Sequence, residues 1–236
     1  MSGRGFTLVE CLIGLALSLV VVTAGLGAYV TLQRAFLRLE ARETSGQSAL
    51  AAVDRMRIDL LHAGAGLVEE VRLGLLEPVT AEAGELRTVT LDRPLALAGG
   101  AGPGATRLFL ASASEVSAGR RIVLRSGPAG EVRTVVRVDG ASVVLDGPLA
   151  APYPAPETAV SLLEIVAYFV DGAAGVLRRR ANASPAQPLA ESVAAAEWSY
   201  DAAAALAAVR VALSVEGAHA HGTTVFVKNA ALAKQP

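Results

Sequence analysis

The sequence has little of what stabilises small secreted domains or carries out chemistry. Its 236 residues include one cysteine, Cys11, so no internal disulfide can form and stability must come from a packed core. Because Cys11 lies inside an apolar run, cysteine-based catalysis outside that run is also excluded. The formal net charge is only −1, which favours neither a nucleic-acid-binding protein nor an enzyme for acidic substrates.

Catalytic and metal-binding patterns are equally scarce. The glycine-rich stretches lack the Gly-Lys-Ser/Thr ending of a phosphate-binding loop, and there is no Gly-x-Ser-x-Gly motif. His219 and His221 have only Glu216 nearby as a third ligand, so a polar loop is favoured over a metal site. The arginines at 178–180 could touch phosphate, but on a short edge strand they are expected to face solvent. We therefore predict no catalytic residues, no metal and no cofactor, and we do not expect an enzyme.

The apolar run from Phe6 to Leu32, FTLVECLIGLALSLVVVTAGLGAYVTL, is the most informative segment. It is longer than the ~20 residues that an α-helix needs to span a bilayer. A secretory signal peptide would have a shorter apolar stretch followed by a small-residue cleavage site. Here Arg4 and Gly5 come first, and the apolar residues follow without a break. Arg4 is expected to stay in the cytoplasm, which places the remainder of the chain outside the inner membrane.

Glu10 is the one charged residue of this run. A carboxylate in hydrocarbon costs roughly 2.5–3.5 kcal/mol even on insertion scales, so such a residue is usually functional and paired. The sequence has no Lys or Arg within two helical turns after Glu10. A partner is then expected from another chain, or from the new amino group that cleavage between Gly5 and Phe6 would create.

The segment RGFTLVE, residues 4–10, resembles the cleavage and methylation signature of type IV prepilins and type II secretion pseudopilins. In that family a membrane-embedded prepilin peptidase cuts after the glycine and methylates the new N-terminal phenylalanine. The resemblance implies that Gly5 is the cut position and that Phe6 is the N-methylated N-terminus. It also implies that Glu10 pairs with the N-terminus of a neighbouring subunit during assembly.

The rest of the chain fits an α+β, type IV pilin-like fold, in which a long N-terminal helix packs on an antiparallel β-sheet domain. Apolar residues three or four apart continue the helix after Leu32, and glycines around Gly64 are expected to end it. Thr44–Gly46 are expected to bend or interrupt it. The predicted segments are a leader at 1–5, a transmembrane and filament-core helix at 6–32, an amphipathic continuation at 33–66, and a β-rich globular domain at 67–236 with a β insertion near 104–158.

Strands are predicted between Leu86 and Asn229, among them Arg121–Ser126 and, as the last, Thr223–Asn229. Asp139-Gly140 between two alternating runs predicts a hairpin. Trp198 and Tyr200 point to one face of a strand and are expected to pack in the core under the helix. The order and spacing of the last predicted strands resemble those of larger minor pilins of the PilW type and of J-type pseudopilins.

We therefore expect a structural minor pilin that primes or caps a type IV pilus, a fimbrium built from the inner membrane. The alternative is a J-type pseudopilin of a type II secretion system. A membrane-anchored binding module, with DNA uptake as a subsidiary role, is less favoured. The expected partners are other pilins or pseudopilins through their N-terminal helices, and the prepilin peptidase. The chain is expected to be a single-pass inner-membrane protein first, and then part of a cell-surface or periplasmic filament.

Overall fold

The computed structural model describes residues 8–82, 84–200, 208–215 and 220–233. Within that part the chain is α+β, with a long N-terminal helix and antiparallel sheets. Two compact units meet in sequence between Thr44 and Ser45. The predicted cleavage site at Gly5 and Phe6 lies outside the described residues.

Helix α1 (Leu8–His62) supplies the whole of the described first unit. Every described residue up to Thr44 is exposed. The hydroxyl groups of Ser18, Thr23 and Thr31 each donate to a carbonyl oxygen one turn earlier, at 2.8, 2.9 and 2.9 Å. These polar side chains therefore satisfy their hydrogen bonds inside the helix and do not need water.

The second unit begins with the remaining turns of α1, which are amphipathic. Residues 44–46 are helical, so the expected interruption there does not occur. Apolar side chains spaced three or four residues apart are buried beneath this part of the helix, and they are Ala49, Ala52, Val53, Met56 and Leu60.

The end of α1 is fixed by glycine and by a side-chain cap. Gly64 has a φ of 76°, a left-handed conformation that glycine adopts without strain. Its backbone N–H donates to the carbonyl oxygen of Val89 at 2.7 Å. The side-chain amide of Asn229 donates to the carbonyl oxygen of Ala63 at 3.1 Å, which satisfies one of the helix's last acceptors.

Twelve strands and two short helices follow in the described part of the chain. They are α2 (Val68–Arg72), β1 (Val79–Glu82), β2 (Glu85–Leu95), β3 (Arg107–Phe109), β4 (Arg121–Ser126), β5 (Ala129–Asp139), β6 (Ser142–Leu145), β7 (Ala159–Asp171), β8 (Val176–Ala181), β9 (Gln187–Ala190), β10 (Val193–Tyr200), β11 (Ala208–Val215), β12 (His221–Phe226) and α3 (Lys228–Ala233).

Nine of these strands form one antiparallel sheet in the order β1-β2-β7-β4-β5-β6-β3, with β8 paired to β7 and β9 paired to β8. The long strand β7 organises this sheet, because β2 covers one of its edges while β4 and then β8 cover the other. Strands β10, β11 and β12 form a second antiparallel sheet. Residues 104–158, which contain β3 to β6, continue the large sheet through the β4–β7 pairing.

Successive residues of β7 face different cores because side chains alternate along a strand. Val166 and Tyr168 face the core that lies against α1 and includes residues from both sheets. Leu163 packs with Leu67 on the opposite face, beside α2. Strands β3 to β6 enclose a separate core of their own with the first part of β7. The second unit thus buries its apolar residues within itself.

Several local elements differ from the sequence-based expectations. The last predicted strand was expected to include Asn229, but this residue lies in α3, whose Ala230 and Ala233 are buried. Strands β1 and β9 and helix α2 were not anticipated. All of these are short elements, and β1 and β9 are held by pairing with the neighbouring strands β2 and β8 rather than by a strong pattern of their own.

Candidate functional site

The first unit presents a long and largely apolar surface between Leu8 and Leu32. In its most apolar 18-residue window, 0% of the residues are buried within the described chain. Val9, Leu17 and Leu26 are 62%, 61% and 58% exposed, values that are typical of this segment. Helix α1 is therefore long enough and apolar enough to cross a membrane.

Glu10 lies in the first turn of α1 and is exposed. An acidic side chain is favourable at this end of a helix because the unsatisfied backbone N–H groups there carry partial positive charge. Of the three residues predicted for processing and assembly, the structure describes only Glu10. Gly5 and Phe6 fall outside the described residues.

Three glycines lie on the apolar surface of α1 at positions where the described residues give no packing reason for glycine. A Cβ atom built at Gly14, Gly25 or Gly27 would meet nothing within 4 Å in the described structure. Each glycine weakens an isolated helix by about 1 kcal/mol relative to alanine. Small residues at such positions let the backbones of neighbouring apolar helices approach closely.

A buried polar cluster ties the second part of α1 to the large sheet. We call it the α1 anchor, and it consists of Asp59 on α1, Tyr168 on β7 and Arg179 on β8. The Tyr168 hydroxyl donates to Asp59 Oδ2 at 2.5 Å, and Arg179 Nε donates to the same oxygen at 2.9 Å. Only 11% of the Asp59 side chain and 17% of the Arg179 side chain are exposed. Arg55, one turn earlier on the helix, adds a longer ion pair of 3.5 Å to Asp59 Oδ1.

The surroundings of the α1 anchor shift the pKa values of two of its members. Burial, followed by the hydrogen bond to Asp59, raises the pKa of the Tyr168 phenol well above its ordinary value. For Arg179, burial lowers the pKa, but the bonds to Asp59 and Tyr168 outweigh it and the pKa rises. Arg179 therefore stays charged and Tyr168 stays protonated, which is the arrangement that satisfies the carboxylate.

The α1 anchor corrects the expectation that the arginine run 178–180 would face solvent on an edge strand. Strand β8 is paired on both sides, with β7 and with β9. Arg179 stands opposite Tyr168 in that pairing and faces the helix, while its two neighbours point to the other face of the sheet. Sequence reasoning missed this role because Asp59 lies 120 residues away in the chain.

The histidines do not gather into a metal site in the described part of the structure. No group of three or more His, Cys, Asp or Glu residues suited to a metal ion occurs among the described residues. His62 is exposed in the last turn of α1, with Nδ1 2.8 Å from the Ile58 carbonyl oxygen. His221 begins β12 beside Gly46, rather than lying in a loop as expected. His219 falls outside the described residues.

Trp198 and Tyr200 are half-buried and pack against the core beneath α1, which confirms the predicted role. The indole N–H of Trp198 also donates to the carbonyl oxygen of Glu82 at 2.9 Å. This bond joins β10 of the small sheet to β1 of the large one.

Comparisons with known proteins assign no family. No protein-family model matches the sequence, and no curated protein matches it. Local similarity to solved structures includes the Gp54 tailspike of Acinetobacter baumannii bacteriophage AP22 in complex with A. baumannii capsular saccharide, at 19% identity and a TM-score of 0.28 over 33% of this chain and 15% of that chain. The Pseudomonas phage phi297 tailspike gp61 is 22% identical, with a TM-score of 0.28 over 31% of this chain and 14% of that chain. The tailspike protein gp49 from Pseudomonas phage LKA1 is 23% identical, with a TM-score of 0.27 over 31% and 15%. This chain spans only 14–15% of the length of these tailspikes, and TM-scores of this size establish no common fold.

Proposed function

We propose that this chain is a type IV pilin-like subunit, a minor pilin that enters a filament through α1 after prepilin peptidase removes residues 1–5. The observation that carries the proposal is the exposed apolar surface of α1 in the first unit. Burying a large apolar side chain is worth about 1.5–3 kcal/mol. A segment with so many of them exposed requires lipid before assembly and the apolar helices of other subunits afterwards.

The RGFTLVE segment supplies the chemistry of processing in this proposal. Cleavage after Gly5 removes Arg4 from the chain and leaves Phe6 as the methylated N-terminus. Glu10 then pairs with the amino group of Phe6 on an adjacent subunit. That ion pair offsets the free energy lost when a carboxylate leaves water, and it sets how far one helix is displaced along its neighbour.

The fold of the second unit supports a role that depends on α1 being held firmly. The later turns of α1 are seated in the main core and fixed by the α1 anchor, where Asp59 bonds to two strands of the large sheet. Within the second unit, the later turns of α1 are thus attached to the β-sheet by buried contacts.

The test is the substitution Glu10→Gln, which removes the charge and keeps the size of the side chain. We expect it to leave processing at Gly5 intact and to reduce recovery of the protein in filaments by at least about tenfold, because a charge-assisted bond is worth about 1.5–3 kcal/mol. Glu43→Gln is the matched control, because Glu43 is an exposed acidic residue of the same helix. Normal filament incorporation of Glu10→Gln would contradict the proposed assembly role.

The same samples report which filament the chain enters. Recovery of the wild-type protein in fibres sheared from the cell surface, together with pilins, supports the minor-pilin form of the proposal. Recovery only in envelope complexes with other pseudopilins would assign it instead to the J-type position of a type II secretion system.

A further inference from the structure

A groove with a cationic rim lies on the face of the large sheet opposite α1. Its volume is about 350 Å³, which is within the range of small-ligand sites. Arg87 of β2, Arg121 of β4 and Arg180 of β8 line it, with Ala167 of β7 at its floor. We call this feature the arginine groove.

The groove exists because two strands pair with separate stretches of the same edge of β7 and leave a gap between them. Strand β4 pairs with the beginning of β7, as far as Leu162, whereas β8 pairs with it only from Val166 onward. Between these points a guanidinium N–H of Arg120 donates to the Leu163 carbonyl oxygen at 3.0 Å. Beyond it, Asn182 accepts from the Ile165 N–H through Oδ1 at 2.9 Å and donates its own N–H to the Ile165 carbonyl oxygen at 2.7 Å. The β7 backbone at Leu163 and Ile165 is thus hydrogen-bonded by flanking residues, and no strand of the described part of the chain fills the space beside it.

The register of the sheet sets two of the arginines on either side of a small residue. Arg87, Ala167 and Arg180 are direct neighbours across β2, β7 and β8. They therefore share one face of the sheet. Ala167 is only 4% exposed, and its methyl group leaves room between the two longer side chains.

The groove carries more positive than negative charge. Glu85 is the acidic residue that bonds to the lining arginines: its Oε1 accepts from Arg87 Nε at 3.0 Å, and its Oε2 lies 3.5 Å from Arg180. Arg121 is exposed and forms no ion pair with the described residues. Among the described residues, Glu85 is thus the one carboxylate that bonds to these three guanidinium groups, while Glu77 lines an adjoining cavity with Arg87 and Arg121 and forms no ion pair with them.

We propose that the arginine groove binds a small polyanion bearing phosphate or carboxylate groups. A guanidinium group presents paired N–H donors whose geometry matches the two oxygens of such a group. Arg121 offers its full set of donors, and the outer N–H groups of Arg87 and Arg180 can be shared between Glu85 and the ligand. The side-chain nitrogen of Asn182, which makes no hydrogen bond with the described residues, adds a neutral donor at the end of the groove.

The arginine groove is separate from the part of α1 that is proposed to act in assembly. It also assigns a function to residues 104–158. Arg121 and Gly119, which both line the groove, come from that segment. A Cβ at Gly119 would lie 2.7 Å from the Ala183 side chain, and the φ of Gly119 is +81°, so the wall of the groove requires glycine there.

The experiment is calorimetric titration of the full chain, held in an uncharged detergent, with pyrophosphate in one arm and citrate in the other. We expect saturable binding of one molecule per chain in at least one arm. Pyrophosphate alone would identify a phosphate ligand and citrate alone a carboxylate ligand. Absence of saturable binding in both arms would overturn the proposal.

Matched variants decide whether the groove is the site. Arg121→Gln is expected to weaken binding about tenfold, since it removes charge-assisted hydrogen bonds. Arg121→Lys should restore only part of the affinity, because lysine keeps the charge but loses the paired donors. Ala167→Leu should abolish binding by filling the floor without changing the charge. Arg137→Gln, an exposed arginine of β5 paired with Asp139, is the control for net charge and should bind as wild type does. Equal losses in Arg121→Gln and Arg137→Gln, or normal binding by Ala167→Leu, would overturn the proposal.

Discussion

Arg179 Nε and Asp59 Oδ2 lie 2.9 Å apart, although 120 residues separate them in the chain. The Tyr168 hydroxyl binds the same carboxylate oxygen, so one acidic side chain of α1 holds two adjacent strands of the sheet. Removing one partner of such a buried pair leaves the other charge without compensation, which is far more damaging than losing a surface ion pair.

Asp59→Ala is therefore expected to lower the free energy of unfolding of the second unit by about 2–4 kcal/mol. Asp54→Ala, an exposed residue of the same helix, is expected to change it by less than about 0.5 kcal/mol. Urea unfolding of the detergent-solubilised protein, followed by the fluorescence of the single tryptophan Trp198, measures both values. Equal free energies of unfolding of the two variants would mean that the α1 anchor does not stabilise the folded protein.

The α1 anchor also predicts how stability responds to alkaline pH. The pKa of Tyr168 is raised in the folded protein, while an unfolded chain has the ordinary tyrosine value of about 10. The folded state then keeps a proton that the unfolded state loses, so this contribution is complete below about pH 10 and declines as the pH rises beyond it.

Tyr168→Phe removes the phenol and should make the fall in stability above about pH 10 less steep than in the wild-type protein. The variant should also be less stable at neutral pH, because Asp59 loses a hydrogen bond. Unfolding free energies measured from neutral pH to alkaline pH test both statements. An identical alkaline slope in the two proteins would show that Tyr168 titrates normally.

The end of α1 provides a test of local backbone geometry. Gly64 and Gly74 both have positive φ, at 76° and 69°, so alanine is strained at either position. A Cβ at Gly64 would in addition lie 3.0 Å from Pro78 Cβ and 3.2 Å from Asn229 Cβ, whereas a Cβ at Gly74 would have no atom of the described residues within 4 Å. We expect Gly74→Ala to destabilise the protein by about 1 kcal/mol and Gly64→Ala by about 2–3 kcal/mol.

The two glycine variants are measured in the same unfolding experiment, and each serves as the control for the other. Their difference isolates the crowding around the helix end from the backbone strain that both share. A Gly64→Ala protein as stable as Gly74→Ala would mean that Pro78 and Asn229 move aside without loss.

Local patterns predicted much of the fold. The end of α1 follows from glycines near Gly64, and the hairpin between β5 and β6 follows from Asp139-Gly140, where Gly140 has a φ of 61°. Strand β4 occupies the residues expected for it, Arg121–Ser126. In each case the deciding information lies within a few residues of the feature.

What sequence reasoning missed depends on long-range register. Three consecutive arginines look equivalent in the sequence, yet the pairing of β7 with β8 sends Arg179 to Asp59 and Arg180 to the arginine groove. Predicting the groove would also require knowing that β4 and β8 pair with different parts of β7. No local spacing contains that information. The proposed processing site, in contrast, is inferred from the sequence of residues 4–10.

The chemical identity of the mature N-terminus tests the account most directly. We expect mass spectrometry of the N-terminal peptide, from protein isolated from cells, to show a chain that begins at Phe6 and carries one methyl group on its amine. Gly5→Val should block this cleavage, whereas Gly3→Val, two residues upstream within the leader, should leave it intact. A wild-type chain that keeps its leader, or that begins at any residue other than Phe6, would contradict the proposed pilin-like function.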